Sequence, residues 1–232
     1  MRPLGLSKVH QIKLAGHLFV PDHSGALFWP AENLLLVADL HLEHGVSLAR
    51  RGIHVPPYDT QATLAQLEQV LKATAAQKLI LLGDSFHDDK AHRSIEPDIE
   101  SRLLAITSAT QTIWISGNHD PIPPSRLGGT TVDELAIGSL LLRHIPSHIS
   151  SGSFEISGHL HPGATIFQRG HRVHAKCFVG DRQRLILPAF GSYTGGLNVR
   201  SKAFAGLLDP KQGDIWMIGK SAIHHFPLSR AG

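Results

Sequence analysis

Three short apolar runs in the first half of the chain each end in a polar loop, and that format restricts the fold more than any other feature. Asn33 to Leu40 reads NLLLVADL, Lys78 to Asp84 reads KLILLGD, and Thr112 to Asp120 reads TIWISGNHD. Each run spends four or five apolar or β-branched residues and then delivers Gly, Asp, Asn or His. Unbroken apolarity over so few residues is what a parallel strand covered on both faces requires. Between the first two runs, Asp59 to Ala76 sets Leu64, Leu67, Val70 and Leu71 at helical spacing behind Asp59 or Thr60 as a cap. Between the second and third, Ile99, Leu103 and Ile106 mark another helix after Pro97. The order βαβαβ implies right-handed crossovers and a largely parallel central sheet.

Beyond Pro124 helical periodicity stops, and short apolar runs recur between Gly, Pro and polar turns. Strands are expected at Ser139–Arg143, Ser153–Ser157, Ala175–Val179, Arg184–Leu187, Ala203–Leu208 and Asp214–Ile218, mostly antiparallel. Gln11 to Trp29 reads as short strands joining a sheet edge. The expectation is an α/β fold with two sheets packed face to face and helices outside, forming one domain over residues 1–232. A hydrophobic content of 42% suffices for a large core, and at 18% charged residues no stretch resembles a disordered linker. The amino terminus breaks its apolar residues with Lys8, His10, Lys13 and His17, unlike a signal peptide. The longest clean apolar run, Leu34 to Ala38, is far shorter than the ~20 residues a membrane span needs. Cys177 is the single cysteine, so no internal disulfide can form. No membrane and a cytoplasmic location are therefore expected.

Histidine is the compositional outlier, at 17 of 232 residues against 19 Asp plus Glu. Imidazole is the commonest ligand for borderline transition metals, so this excess points toward a metal site. Candidate donors gather where strands end: Asp39 and His41 after the first run, Asp84 after the second, Asn118 after the third. Later come His144, in RHIP, and His159 with His161, in GHLH. Alternation along an extended chain is expected to put Asp39 with His41, and His159 with His161, on one face. Two carboxylates, one amide and four imidazoles are too many for one ion and suit two, with Asp84 as the bridge between like charges. Nitrogen and oxygen donors without sulfur favour manganese first, then iron or zinc, over calcium. Two such ions ~3.5–4 Å apart clamp the attacking and leaving oxygens of displacement at phosphorus, and a shared water with its pKa lowered toward ~7 would be the nucleophile.

The series DLHL, GD, GNHD, H and GHLH, in that order over Asp39 to His161, resembles the signature of the calcineurin-like metallophosphoesterases. That resemblance implies a four-layer αββα sandwich. It assigns Asp39, His41, Asp84 and His161 to one metal and Asp84, Asn118, His144 and His159 to the other. It also implies that His119 sits over the scissile phosphate, stabilising charge or protonating the leaving oxygen, with Asp120 orienting it. ADLHLEHG, LLGDSFHD, HIPS and LPAFGSYTGG are further similar to the bacterial ligase-associated metallophosphoesterases known as PdeM. This implies a phosphodiesterase or DNA endonuclease in DNA repair, associated with a DNA ligase and helicase. His87 and Asp88 stand where many relatives place an acidic residue and carry no assigned role, and His148 is a rival to His144.

Arg50, Arg51 and Tyr58, in the loop leaving the first run, could grip phosphate or stack a base; equally they could be a solvated surface. The net charge of +3 permits a polyanionic partner without requiring one. A small-molecule phosphoesterase acting on nucleotides or nucleotide-linked lipids is the competing enzyme reading, although the lipid enzymes usually show Arg where this chain has His119. A non-catalytic scaffold of the same fold is the third, and scaffolds of that kind tend to have lost ligands that survive here.

Overall fold

The computed structural model describes residues 10–53, 58–88, 95–122, 125–168 and 170–232. The three apolar runs form strands β4 (Leu34–Val37), β5 (Lys78–Leu82) and β6 (Gln111–Ile115), which pair in parallel with Leu36 opposite Ile80 and Ile80 opposite Ile113. An antiparallel meander, β1 (Ile12–Leu14), β2 (His17–Pro21) and β3 (Leu27–Trp29), extends one edge, and β7 (Thr130–Val132) adds in parallel at the other. The resulting seven-stranded sheet runs in order from β1 to β7. Short helix α1 (His44–Arg50) follows β4, α2 (Asp59–Thr74) connects toward β5, and α3 (Pro97–Ala109) toward β6.

Alternation divides each apolar run between two cores. Leu35, Val37, Leu79 and Leu81 face α2 and α3, meeting Leu64, Leu67, Val70, Ile99 and Leu103. Leu34, Leu36, Ile80, Leu82 and Ile115 face the other way, against Leu140, Leu142, Ile156, Phe178 and Leu185 of a second sheet. Burial on both faces is why these strands are apolar beyond their first residues, Lys78 in β5 and Gln111 and Thr112 in β6.

The second sheet comprises β8 (Glu134–Ile137), β9 (Leu140–Arg143), β10 (Phe154–Ser157), β11 (Pro162–Gln168), β12 (His171–Gly180), β13 (Arg184–Ile186), β14 (Leu197–Asn198), β15 (Asp214–Ile218) and β16 (Ile223–Pro227). Its order is β14-β11-β12-β13-β10-β9-β8, with β15 and β16 attached through β12. Most pairings are antiparallel, but β9, β10 and β13 run parallel to one another. The outer face of this sheet is covered by turns and single-turn 3-10 helices that seat Phe204, Leu208 and Leu228.

The strand expected at Ala203–Leu208 is not formed: a 3-10 turn at Lys202–Phe204 leads into turns through Gly206, whose φ of +77° no strand adopts. Its apolar residues reach the core without a ladder. β7, β8, β11, β14 and β16 lie outside the expected set, and Ala175–Val179 is only the end of ten-residue β12, because the first half of that hairpin arm is polar and exposed. Among the described residues no helix is long and apolar enough to cross a membrane.

Candidate metal centre

All seven candidate donors leave the carboxyl ends of strands. Asp39 and His41 follow β4, Asp84 follows β5 and Asn118 follows β6 in the first sheet; His144 follows β9, and His159 and His161 follow β10 in the second. Because β9 and β10 are parallel, their two loops emerge together and meet those of the facing sheet.

The side chains converge in two triads. Asp39, His41 and His161 each offer an atom within 4.8 Å of the others, and so do Asp84, His144 and His159. In the first, His41 Nε2 lies 3.2 Å from His161 Nε2, which is 3.3 Å from Asp39 Oδ1. In the second, His144 Nε2 is 3.3 Å from Asp84 Oδ2, 3.2 Å from His159 Nδ1 and 2.9 Å from Asn118 Oδ1. Asp84 Oδ2 is also 3.9 Å from His41 Nε2, so this one carboxylate reaches both groups. His144 is buried among these candidate donors, whereas His148 is exposed beside Ser147, Asp181 and Arg184.

How the donors come together corrects the extended-chain expectation. Asp39, His41, Asp84, His159 and His161 have φ values of +55°, +45°, +47°, +69° and +45°. Non-glycine residues rarely take this left-handed region, and such strain persists only where surroundings enforce it. Enforcement comes from amides and glycines. Asp39 N donates to Gly83 O (3.2 Å) and His41 N to Asp84 O (2.9 Å). Asp39 carboxylate oxygens accept from His159 N at 3.0 and 3.1 Å, and Asp84 Oδ1 accepts from His119 N at 2.9 Å. Gly117 lets this happen: a Cβ there would stand 2.2 Å from Asp84 N.

Electrostatics favours cations in the cage. Burial works to raise the pKa of Asp84, but its hydrogen bond and charge interaction with His144 and the His119 amide prevail and hold it at about 2. Burial, reinforced by His161, pushes His41 down to about 3, so its ring is neutral and its lone pair free. His41 Nδ1 is buried with no hydrogen-bond partner. The His41 and His159 imidazoles, both lowered by burial, and an ionised carboxylate aimed at common points are donors of the kind that divalent transition metals take.

At the rim, exposed His119 meets the His41 ring edge-on at 5.4 Å and lies near-parallel to His87 at 5.6 Å. His87 in turn stacks on His44 at 3.9 Å. Burial lowers His44, and with the neighbouring His44 it lowers His87 to about 4. His44 was invisible from the motif series, though its place three residues after His41, at the start of a helix, is a usable signal. Asp88, unassigned from sequence, accepts from Ser47 Oγ at 2.5 Å. Arg50, Arg51 and Tyr58 are exposed and outside the cage, although the charge of Arg51 is felt by His44 and His87.

Asp120 does not hold His119. Its Oδ2 accepts from Phe86 N at 3.0 Å, while its Oδ1 is buried without a hydrogen-bond partner. Burial raises its pKa to about 7. It braces the loop carrying Asp84 from beneath.

No family model and no curated protein matches the chain. Among solved structures it is similar to the Pseudomonas putida nuclease MPE, at 29% identity and TM-score 0.72 over 93% of this chain and 99% of that one. It is also similar, more loosely, to Yfce, a phosphoesterase from E. coli, at 15% identity and TM-score 0.43 over 84% of this chain and 98% of that one. The ordered motifs, the two facing mixed sheets and the full-length likeness to the Pseudomonas protein place this chain in the metallophosphoesterase superfamily, as a metal-dependent phosphoesterase.

Proposed function

We propose that the chain is a dinuclear phosphodiesterase that cuts DNA, working in the cytosol in a repair setting alongside a DNA ligase and helicase. The observation that carries the reading is the pair of donor triads sharing Asp84. The nuclease likeness over 93% of the chain directs it to nucleic acid. Asp39, His41, Asp84 and His161 would hold one ion and Asp84, Asn118, His144 and His159 the other, with manganese the leading candidate. Bound there, two such ions supply positive charge for the phosphate and acidify water for attack at phosphorus.

The chain's own residues do the rest. Asp84 stays ionised in a buried setting, held by His144 and the His119 amide, and the buried Asp39 carboxyl accepts from the His159 amide. His119, at the open rim, carries a ring N–H to the leaving oxygen, a transfer worth ~100-fold or more. His44 and His87 offer neutral ring N–H groups to non-bridging oxygens without adding charge. Arg50, Arg51 and Tyr58 line the approach for the phosphate backbone and a base.

Purified protein with added manganese is expected to hydrolyse an aryl phosphodiester, and His119→Ala to keep its metal but lose ~100-fold in turnover. Equal turnover in that variant would refute the role of His119. Circular DNA is expected to be nicked; intact circles alongside rapid nucleotide hydrolysis would move the substrate to small molecules.

A further inference from the structure

Lys176 is a half-buried lysine whose ammonium the chemistry above does not use. It sits on β12 opposite Gly163 of β11, two residues past His161. Its Nζ donates at 2.9 Å to Ala189 O, to Gly191 O and to Thr194 Oγ1, so all three hydrogens are engaged and none meets a carboxylate. A half-buried cation spent on main-chain carbonyls, its pKa lowered by burial with only the charge of Asp39 opposing, calls for a reason, since burial of charge is costly.

The hydrogen bonds beyond it supply one. The peptide unit whose carbonyl is Ala189 O carries the Phe190 amide, which donates to Ala38 O at 2.8 Å. The peptide unit of Ala38 O carries the Asp39 amide, which donates to Gly83 O at 3.2 Å. The peptide unit of Gly83 O carries the amide of Asp84. Three peptide groups thus stand head to tail between the ammonium and the two carboxylate donors, and such chains polarise one another. A second arm leaves the same segment, where Gly191 N donates to Asp39 O at 3.1 Å. Asp39 is thereby bonded through both its amide and its carbonyl, at φ +55°, and Asp84 at the far end has φ +47°. Gly191 presses so closely that a Cβ would lie 2.3 Å from Leu40 O, so the segment cannot shift without moving the loop between Asp39 and His41.

We propose that Lys176 is a positioning residue of the metal centre, holding Asp39 in its left-handed conformation through the 189–191 segment and thereby setting the affinity of the Asp39, His41 and His161 half. The inference rests on the reading of the cage as a metal site. Lys176 touches neither substrate nor donor side chains. The dependence is graded: the segment bonds Asp39 directly, whereas it reaches the half of Asp84, Asn118, His144 and His159 only at second hand, through the Gly83–Asp84 peptide and the His159 amide.

The test is Mn²⁺ binding to the chelated full-length protein, followed by the electron paramagnetic resonance of free Mn²⁺. The Asp39 half is read in a His159→Ala background and the other half in a His161→Ala background. Lys176→Met is expected to weaken the Asp39 half ~10-fold or more, the range for residues that orient metal ligands, and to leave the other half within ~2-fold. Equal losses in both halves, or no loss, would overturn the proposal. Should Lys176→Met fail to fold, Thr194→Val, which removes one of the three acceptors, is expected to produce a smaller loss confined to the Asp39 half; wild-type binding by that variant overturns it equally. Unsubstituted protein that takes up no Mn²⁺ refutes the metal-centre reading itself, a result distinct from either.

Discussion

Asp120→Asn is expected to make the metal-free protein more stable, by an amount that grows with pH. The folded pKa of Asp120 is raised by burial from 3.8 to about 7. Below 3.8 both folded and unfolded states carry the proton and the carboxyl costs nothing extra. As pH rises from there the unfolded chain ionises while the folded one keeps its proton. Stability therefore falls until pH passes about 7. At 1.36 kcal/mol per unit, that interval is worth about 4 kcal/mol. Asparagine does not titrate and keeps a carbonyl oxygen for the Phe86 amide, so it escapes the loss. Two other shifts act in the opposite sense. Burial, with His161, lowers His41 from 6.5 to about 3, which adds stability above that window and removes it in acid, but this contribution is common to both proteins and cancels in their difference. Asp84, held at about 2 against the opposing effect of burial by His144 and the His119 amide, loses its stabilising contribution only as pH falls below 3.8. Denaturant unfolding of chelated wild type and variant at half-unit steps from pH 4 to 8 measures the gap, which should open from near zero to about 4 kcal/mol. A gap that stays flat across that range would show that the carboxyl ionises freely in the fold and would refute the argument. Added manganese should narrow the gap, since nearby cations favour the carboxylate.

Gly117→Ala forces a Cβ to within 2.2 Å of Asp84 N and 2.5 Å of Asp120 Oδ1, positions that cannot yield without moving the shared carboxylate. It should cost about 1–3 kcal/mol in unfolding experiments and reduce manganese uptake, and a variant with two tightly bound ions would contradict the packing described. Glu155 is wholly buried between Arg143 at 2.9 Å and Arg184 at 2.6 Å, and its Oε2 also accepts from Ser147 N. Glu155→Ala leaves buried Arg184 without its carboxylate and Arg143 with only the looser Glu134 pairing at 3.9 Å, so a loss of about 3–5 kcal/mol is expected from urea melts.

Much of the fold could be read from local pattern. NLLLVADL, KLILLGD and TIWISGNHD gave parallel strands because continuous apolarity has one common explanation at that length, and the intervening helices followed from their spacing. The polar half of β12 and the apolar turn at Ala203–Leu208 were misread for one reason: pairing and burial there depend on distant segments, not on local periodicity.

The identity of the seven candidate donors and their order along the chain can be read from sequence, since only certain side chains ligate metals. Their meeting was decided in three dimensions. Left-handed turns at five of them, backed by glycines that admit no Cβ and by amides from the opposite sheet, aim the donors at common points. The same holds for Asp120, whose carboxyl turned out to brace the Asp84 loop, and for Lys176, whose partners lie more than ten residues away. Strain and long-range hydrogen bonds are properties of the assembled sheets, because no local stretch of chain would adopt such conformations by itself.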